Sequence, residues 1–228
     1  VQNDTITQIV SLDPVAVKEG TAKRVEKGEV EIDAAGKYVM PGLINLHGHT
    51  QDERGGVPQP VEYNTKLWLA CGITTVRDVA AGAKTLRWRE QSAKNELAAP
   101  KIYAYAAFLG VKNPDEARAK VRQIKQDGYD GIKIFGLDRD IMEAMMDEAK
   151  KHSLRVAHHV GVEETNAWDD IRLGTTSIEH WYGIPDAAIE SGRQNFPADY
   201  NYNDEVDRFR YAGRLWREAN WDKLMKVL

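Results

Sequence analysis

From residue 41 onward the sequence predicts an α/β protein built on a parallel sheet, and three observations carry that prediction. Short apolar runs of strand length alternate six times with longer, charge-rich stretches of helical period. The connections between them are brief, which places helices between parallel neighbours. Histidines recur at the C-terminal ends of the strand-like runs. Parallel connections are right-handed, which leaves a barrel or a doubly wound sheet. No glycine-rich phosphate loop follows the first strand, which counts against a nucleotide-binding sheet.

The elements read as follows. Residues 1–40 carry short alternating segments at Thr5–Val10 and Glu29–Asp33, then a turn at Ala35–Lys37 before Tyr38–Met40. They are too few to bury a core alone, so they are expected to pack on something else. Pro41-Gly42 then opens the first apolar strand, Leu43–His47. A helix over Val61–Ala70 stops at Gly72. The second strand is Ile73–Val79, a charged helix covers about 84–97, and Pro100 closes it. Lys101–Ala107 is the third strand. Asn113 caps the next helix, with Pro114 in its first turn and Asp115 and Glu116 facing the helix dipole. Gly131–Phe135 is the fourth strand, followed by a helix over 139–152. Leu154–His159 is the fifth, followed by a helix over 163–173, and Thr176–His180 is the sixth. After Pro185 the chain becomes aromatic and polar, with a helical tail to Leu228.

Composition narrows the function classes. Of 228 residues 42% are hydrophobic and 29% charged, with a net charge of −4, as for an ordinary globular domain. The mild acidity and the lack of a basic cluster argue against nucleic acid as a partner. No apolar run approaches the roughly 18 residues that would cross a bilayer. The single cysteine, Cys71, excludes an internal disulfide and reads as a small buried residue beside Gly72. The chain begins at Val1 without an initiator Met, so its native N-terminus is expected upstream. The compartment stays open between cytoplasm and periplasm or secretion.

Chemistry concentrates in the histidines. In Leu43-Ile44-Asn45-Leu46-His47-Gly48-His49, alternation sends His47 and His49 to one face, the geometry of half a metal site. Alone, the pair is equally well read as surface or core histidine. Lys133 lies inside the apolar run Ile132–Phe135, where an unpaired ammonium is costly to bury; alone, it reads as a snorkelling lysine. His159 ends the fifth strand and His180 the sixth. All five fall at or near the strand ends that converge on one mouth in a barrel. His158 adjoins His159, and only one of them can face inward; His158 reads as the helix-facing or supporting member. Glu179 should point away from His180 and read as a packing or salt-bridge residue. Arg77 and Asp78 are candidates to orient the metal-bound histidines, or a structural ion pair. Trp181 and Tyr182 are candidates to line a pocket.

These segments together resemble the amidohydrolase superfamily, in the branch related to imidazolonepropionase and metal-dependent dipeptidases. The matching stretches are Lys37–Ile44 leading into His47-Gly48-His49, Cys71–Asp78, Gly131-Ile132-Lys133, His159 and Ser177-Ile178-Glu179-His180. The resemblance implies a (β/α)8 TIM-type barrel, here lacking the last strands. Residues 41–228 would form its strands one to six and the following helical segment, and residues 1–40 part of a small β-sandwich. It implies two divalent metal ions, with Zn²⁺ expected, one held by His47 and His49 and the other by His159 and His180. Lys133 would carry a CO₂-derived carbamate that bridges them, and a hydroxide shared by the metals would be the nucleophile. The family's strand-eight aspartate, its general base, is expected beyond Leu228. The segment 108–112 is also shorter than in relatives, and the chain reads as part of a longer protein.

The activity so implied is hydrolysis of an amide or peptide-like C–N bond, with a Xaa-Pro-type dipeptidase as the specific expectation. A cyclic amide hydrolase or ring deaminase is the alternative, and a catalytically incomplete metal-binding homologue a third. The expected partner is a small-molecule or short-peptide substrate, with no nucleic acid and no membrane, and homo-oligomerisation left open.

Overall fold

The computed structural model describes residues 1–228 except 3, 4, 12, 24–26, 160–164, 190–198, 200, 202 and 203, and the side chains of 205, 208 and 212. The chain divides into two compact units, Val1–Pro41 and Gly42–Leu228.

In the first unit Asp13 caps a short helix, α1 (Pro14–Lys18), its carboxylate accepting from the Val15 N–H at 2.9 Å. The strands expected at 5–10, 29–33 and 38–40 do not form. Among the described residues of this unit the one pairing is an antiparallel bridge between Gln2 and Thr5. The physical reason is the lack of a partner: Ile6, Ile9, Val30, Ile32 and Tyr38 are all exposed. A strand needs both a neighbour for its backbone and a surface for its apolar face.

The second unit carries the alternation read from the sequence. Its elements are β1 (Leu43–Gly48), β2 (Glu53–Arg54), β3 (Val57–Pro58), α2 (Val61–Ala70), β4 (Ile73–Ala81), α3 (Ala83–Ala93), β5 (Lys101–Phe108), α4 (Pro114–Gln126), β6 (Gly131–Ile134), α5 (Arg139–Lys151), β7 (Arg155–His158), α6 (Ala167–Leu173), β8 (Ser177–Ile178), α7 (Ile184–Ala187), α8 (Glu205–Glu218) and α9 (Trp221–Val227). Six strands pair in the order β1-β4-β5-β6-β7-β8, every neighbour parallel. The sheet curls into a half-barrel, a partial (β/α)8 barrel.

The core lies between the middle strands and α4 and α5. Phe108, Ile132, Ile134 and Val156 pack there on Val121, Ile124, Met142 and Met145, all nearly inaccessible to water. Local signals placed these helices. Asn113 accepts from the Glu116 N–H at 2.9 Å, as a cap should. Gly72 ends α2 in the left-handed conformation that glycine adopts without strain. Cys71 differs from expectation: it is exposed, because it sits one residue past the last turn of α2, at the open end. The small hairpin of β2 and β3 was not anticipated, although Gly55-Gly56 between them is a two-residue turn signal. Three strands came out shorter than read: β6 by one residue, β7 by two and β8 by three. The helix expected from 163 begins only at Ala167, and its first expected residues fall partly outside the described ones. No helix among the described residues is long and apolar enough to cross a membrane.

Candidate metal centre

Four histidines meet at the C-terminal ends of the strands. His47 lies in β1 and His49 just past its end, with ring centroids 5.3 Å apart and planes nearly perpendicular at 81°. Curling of the sheet brings the far end of the same sheet to them. The His47 ring is 4.3 Å from that of His180, which follows β8, and His180 is 4.9 Å from His159, which follows β7. The imidazoles thus form a row, His49, His47, His180, His159, drawn from three strand ends. Gly48 between the first two is required by packing, since a side chain there would run into Val76 and Trp68.

Lys133 on β6 is 2% exposed, and its Nζ has no hydrogen-bond partner among the described residues. Its Nζ sits over the Phe135 ring, 5.5 Å from the centroid. Burial is the main cause that lowers its pKa to about 8, opposed by Glu179 and assisted by Arg77. The protein around His180 removes water from it, and the charges of His47 and Lys133 act with that to lower it to about 4. Loss of water, then His47 and Lys133, lowers His49 as well. Imidazoles of lowered basicity at His49 and His180, beside an amine without a hydrogen-bond partner among the described residues, are suited to a cation.

Glu179 is a salt-bridge residue as read, paired with Arg77, but the direction in which it points needs correction. It does not turn away from the histidines; its Oε2 pairs with Nδ1 of His47, and its Oε1 with Arg77. Strand alternation holds only while a strand lasts, and β8 ends at Ile178. Burial pushes the Glu179 carboxyl up, but hydrogen bonds from His47 and Ser177 and the charge of Arg77 outweigh it and hold the pKa at about 2.

The remaining candidates fall into place around this cluster. Arg77 on β4 donates through Nε to the Leu46 carbonyl at 2.6 Å and through Nη1 to Ser177 Oγ at 2.9 Å. Asp78 is 1% exposed; it accepts from the Thr50 N–H at 3.1 Å, just after His49, from the Ala80 N–H at 3.2 Å and from the Thr85 hydroxyl at 3.3 Å. Burial raises its pKa to about 6 despite those donors. His158 is not brought to the row: its ring is fully buried, and Nδ1 meets Asp170 of α6 at 2.7 Å. Tyr182 stacks on His159 with centroids 5.0 Å apart and planes at 29°, while Trp181 contacts Trp216 of α8 at 6.2 Å. His180 and Trp181 both have positive φ, 59° and 69°, a conformation uncommon outside glycine and one that accumulates at functional sites.

Among the described residues no three His, Cys, Asp or Glu side chains gather as one ready ligand set. The donors that can hold metal come instead as histidine pairs, with Lys133 as the further buried nitrogen.

No family model matches the chain. A dihydroorotase of Halalkalibacterium halodurans is 31% identical over 137 residues, 56% of this chain and 32% of that protein. The 5-methylthioadenosine/S-adenosylhomocysteine deaminase 2 of Archaeoglobus fulgidus is 26% identical over 166 residues, 71% of this chain and 32% of the relative. The chain therefore spans about a third of the length of these curated relatives. Among solved structures, a Xaa-Pro dipeptidase with bound methionine in its active site superposes with a TM-score of 0.56 at 21% identity, over 90% of this chain and 68% of that one, a likeness of fold. The parallel half-barrel and these relatives support placing the chain in the amidohydrolase superfamily.

Proposed function

We propose that this chain provides the metal-binding part of a hydrolase that cleaves a C–N bond. The observation that carries the proposal is the row of four imidazoles beside a buried Lys133 amine without a partner. In this reading His47 and His49 hold one divalent ion and His159 and His180 the other. Lys133, once carboxylated by CO₂, supplies an anionic oxygen donor to both. The lowered pKa of Lys133 supports that step, because only the neutral amine attacks CO₂. When bound, the ions supply Lewis acidity toward the substrate carbonyl and make water a nucleophile near neutral pH. The protein's own part is to lower the basicity of His49 and His180, to orient the imidazoles, and to wall the site with Tyr182 and Trp181. The general base is assigned to no residue of this chain. Residues 1–40 are proposed to belong to a small accessory β-domain.

The substrate class is an amide or a peptide-like bond, with a Xaa-Pro dipeptide as the first specific reading. A cyclic amide or an amino-substituted ring is the second, and the dihydroorotase and deaminase relatives favour it. A panel of Xaa-Pro dipeptides, dihydroorotate and methylthioadenosine, offered to the zinc-loaded product of the full reading frame, separates the two. Turnover of ring substrates alone removes the peptidase reading. No turnover of any amide at full metal loading removes the hydrolase reading and leaves a metal-binding homologue.

A further inference from the structure

A polar network joins β1, β4 and the end of β8, and His47 is its one member among the proposed metal ligands. The Glu179 carboxylate accepts only. Its Oε1 takes Arg77 Nη2 and the Ser177 hydroxyl, the latter at 2.7 Å. The Ser177 oxygen in turn accepts from Arg77 Nη1, so its hydrogen is free to go to Glu179. That leaves Oε2 facing His47 Nδ1, which must then carry the hydrogen. Arg77 also grips the carbonyl of Leu46, the residue before His47. One guanidinium thus fixes both the backbone next to His47 and the carboxylate that meets its ring.

We propose that Glu179 is a positioning residue: backed by Arg77 and Ser177, it holds His47 as the Nδ1–H tautomer, leaving Nε2 as the nitrogen with the free lone pair. The tautomer follows from donors and acceptors alone. Its consequence for metal rests on the reading of His47 as a ligand, since a carboxylate behind a ligating histidine sets its orientation and basicity. The same network also staples the first described strand of the half-barrel to the last. A purely structural staple would leave the tautomer of His47 indifferent to the charge on Glu179, and that difference can be measured.

The test is a long-range ¹H–¹⁵N spectrum of the metal-free protein labelled at histidine. It is recorded at about pH 8, above the ordinary histidine pKa, with His47 assigned by its absence from a His47→Gln variant. The wild type should show His47 protonated at Nδ1 and bare at Nε2. Glu179→Gln should give averaged nitrogen shifts at His47 and, by chelator competition, zinc binding about 10–100-fold weaker. An Nε2–H tautomer in the wild type overturns the proposal. So does a Glu179→Gln protein whose His47 spectrum and zinc affinity are unchanged. If the variant does not fold, the wild-type spectrum decides alone. A wild type with the Nδ1–H tautomer that takes up no zinc would refute the metal centre and leave the positioning of His47 standing.

Discussion

Asp78 should make the folded protein lose stability as pH rises between about 4 and 6, and Asp78→Asn should abolish that loss. The carboxyl is 1% exposed on β4, and burial lifts its pKa from 3.8 to about 6. A group with a raised folded pKa keeps its proton in the native state over a range where the unfolded chain has released it. The native state then binds more protons, so stability falls with rising pH. The contribution is fully present below the unfolded value of 3.8 and is lost by about pH 6. At about 1.4 kcal/mol per unit, a shift of roughly two units is worth about 3 kcal/mol. Other carboxylates pull the other way: Glu179, held at about 2, is stabilising above its unfolded pKa and loses that contribution as the solution is acidified. The difference between wild type and variant isolates Asp78. Asparagine cannot accept from Thr50, Thr85 and Ala80 together, so Asp78→Asn should be the less stable protein at pH 4. Its deficit should shrink by about 3 kcal/mol by pH 7. Urea denaturation of both proteins at pH 4, 5, 6 and 7 measures this. A difference that stays constant across the series would refute the argument.

Two further substitutions test the core of the site. Lys133→Met should stabilise the metal-free protein at pH 7 by about 1–3 kcal/mol, since it removes an unpartnered buried amine, and should abolish uptake of the bridged metal pair. Thermal melts with and without chelator follow the first effect and metal analysis the second. In the metal-free wild type, the lowered Lys133 pKa means that stability should rise with pH between about 8 and the unfolded value of 10.5, and this rise should be absent from the variant. Gly131→Ala on β6 would place a methyl 2.6 Å from Tyr105 Cζ and 2.8 Å from the Arg155 carbonyl oxygen, which is backbone and cannot step aside. It should cost about 1–3 kcal/mol in chemical denaturation.

Apart from the β2–β3 hairpin, the strands and helices between Leu43 and Leu173 were legible because burial and period coincide there. β6 reads as an apolar run since it is buried on both faces, as is the second half of β5, and α4 announces itself through Asn113 and Pro114. The choice of His159 over His158 followed from alternation along β7, whose last residue turns into α6. Glu179 was misplaced by the same rule, applied two residues beyond the point where β8 stops. No local pattern says how long an edge strand will last, because that length depends on what the strand pairs with. The segments before residue 40 fail for a related reason: alternation marks the capacity to form a strand, and pairing realises it. The Arg77–Glu179–His47 network was half visible. The sequence marked Arg77 as an orienter, but its partner lies 102 residues away and becomes a neighbour only when the sheet curls.

The central claim is that these histidines and Lys133 form a two-metal centre, and metal content tests it most directly. Elemental analysis of the full reading-frame product, purified with zinc and bicarbonate and freed of loosely held ions, should find about two divalent ions per chain, falling to one or fewer in Lys133→Met. Less than about one ion per chain in the wild type would contradict the claim.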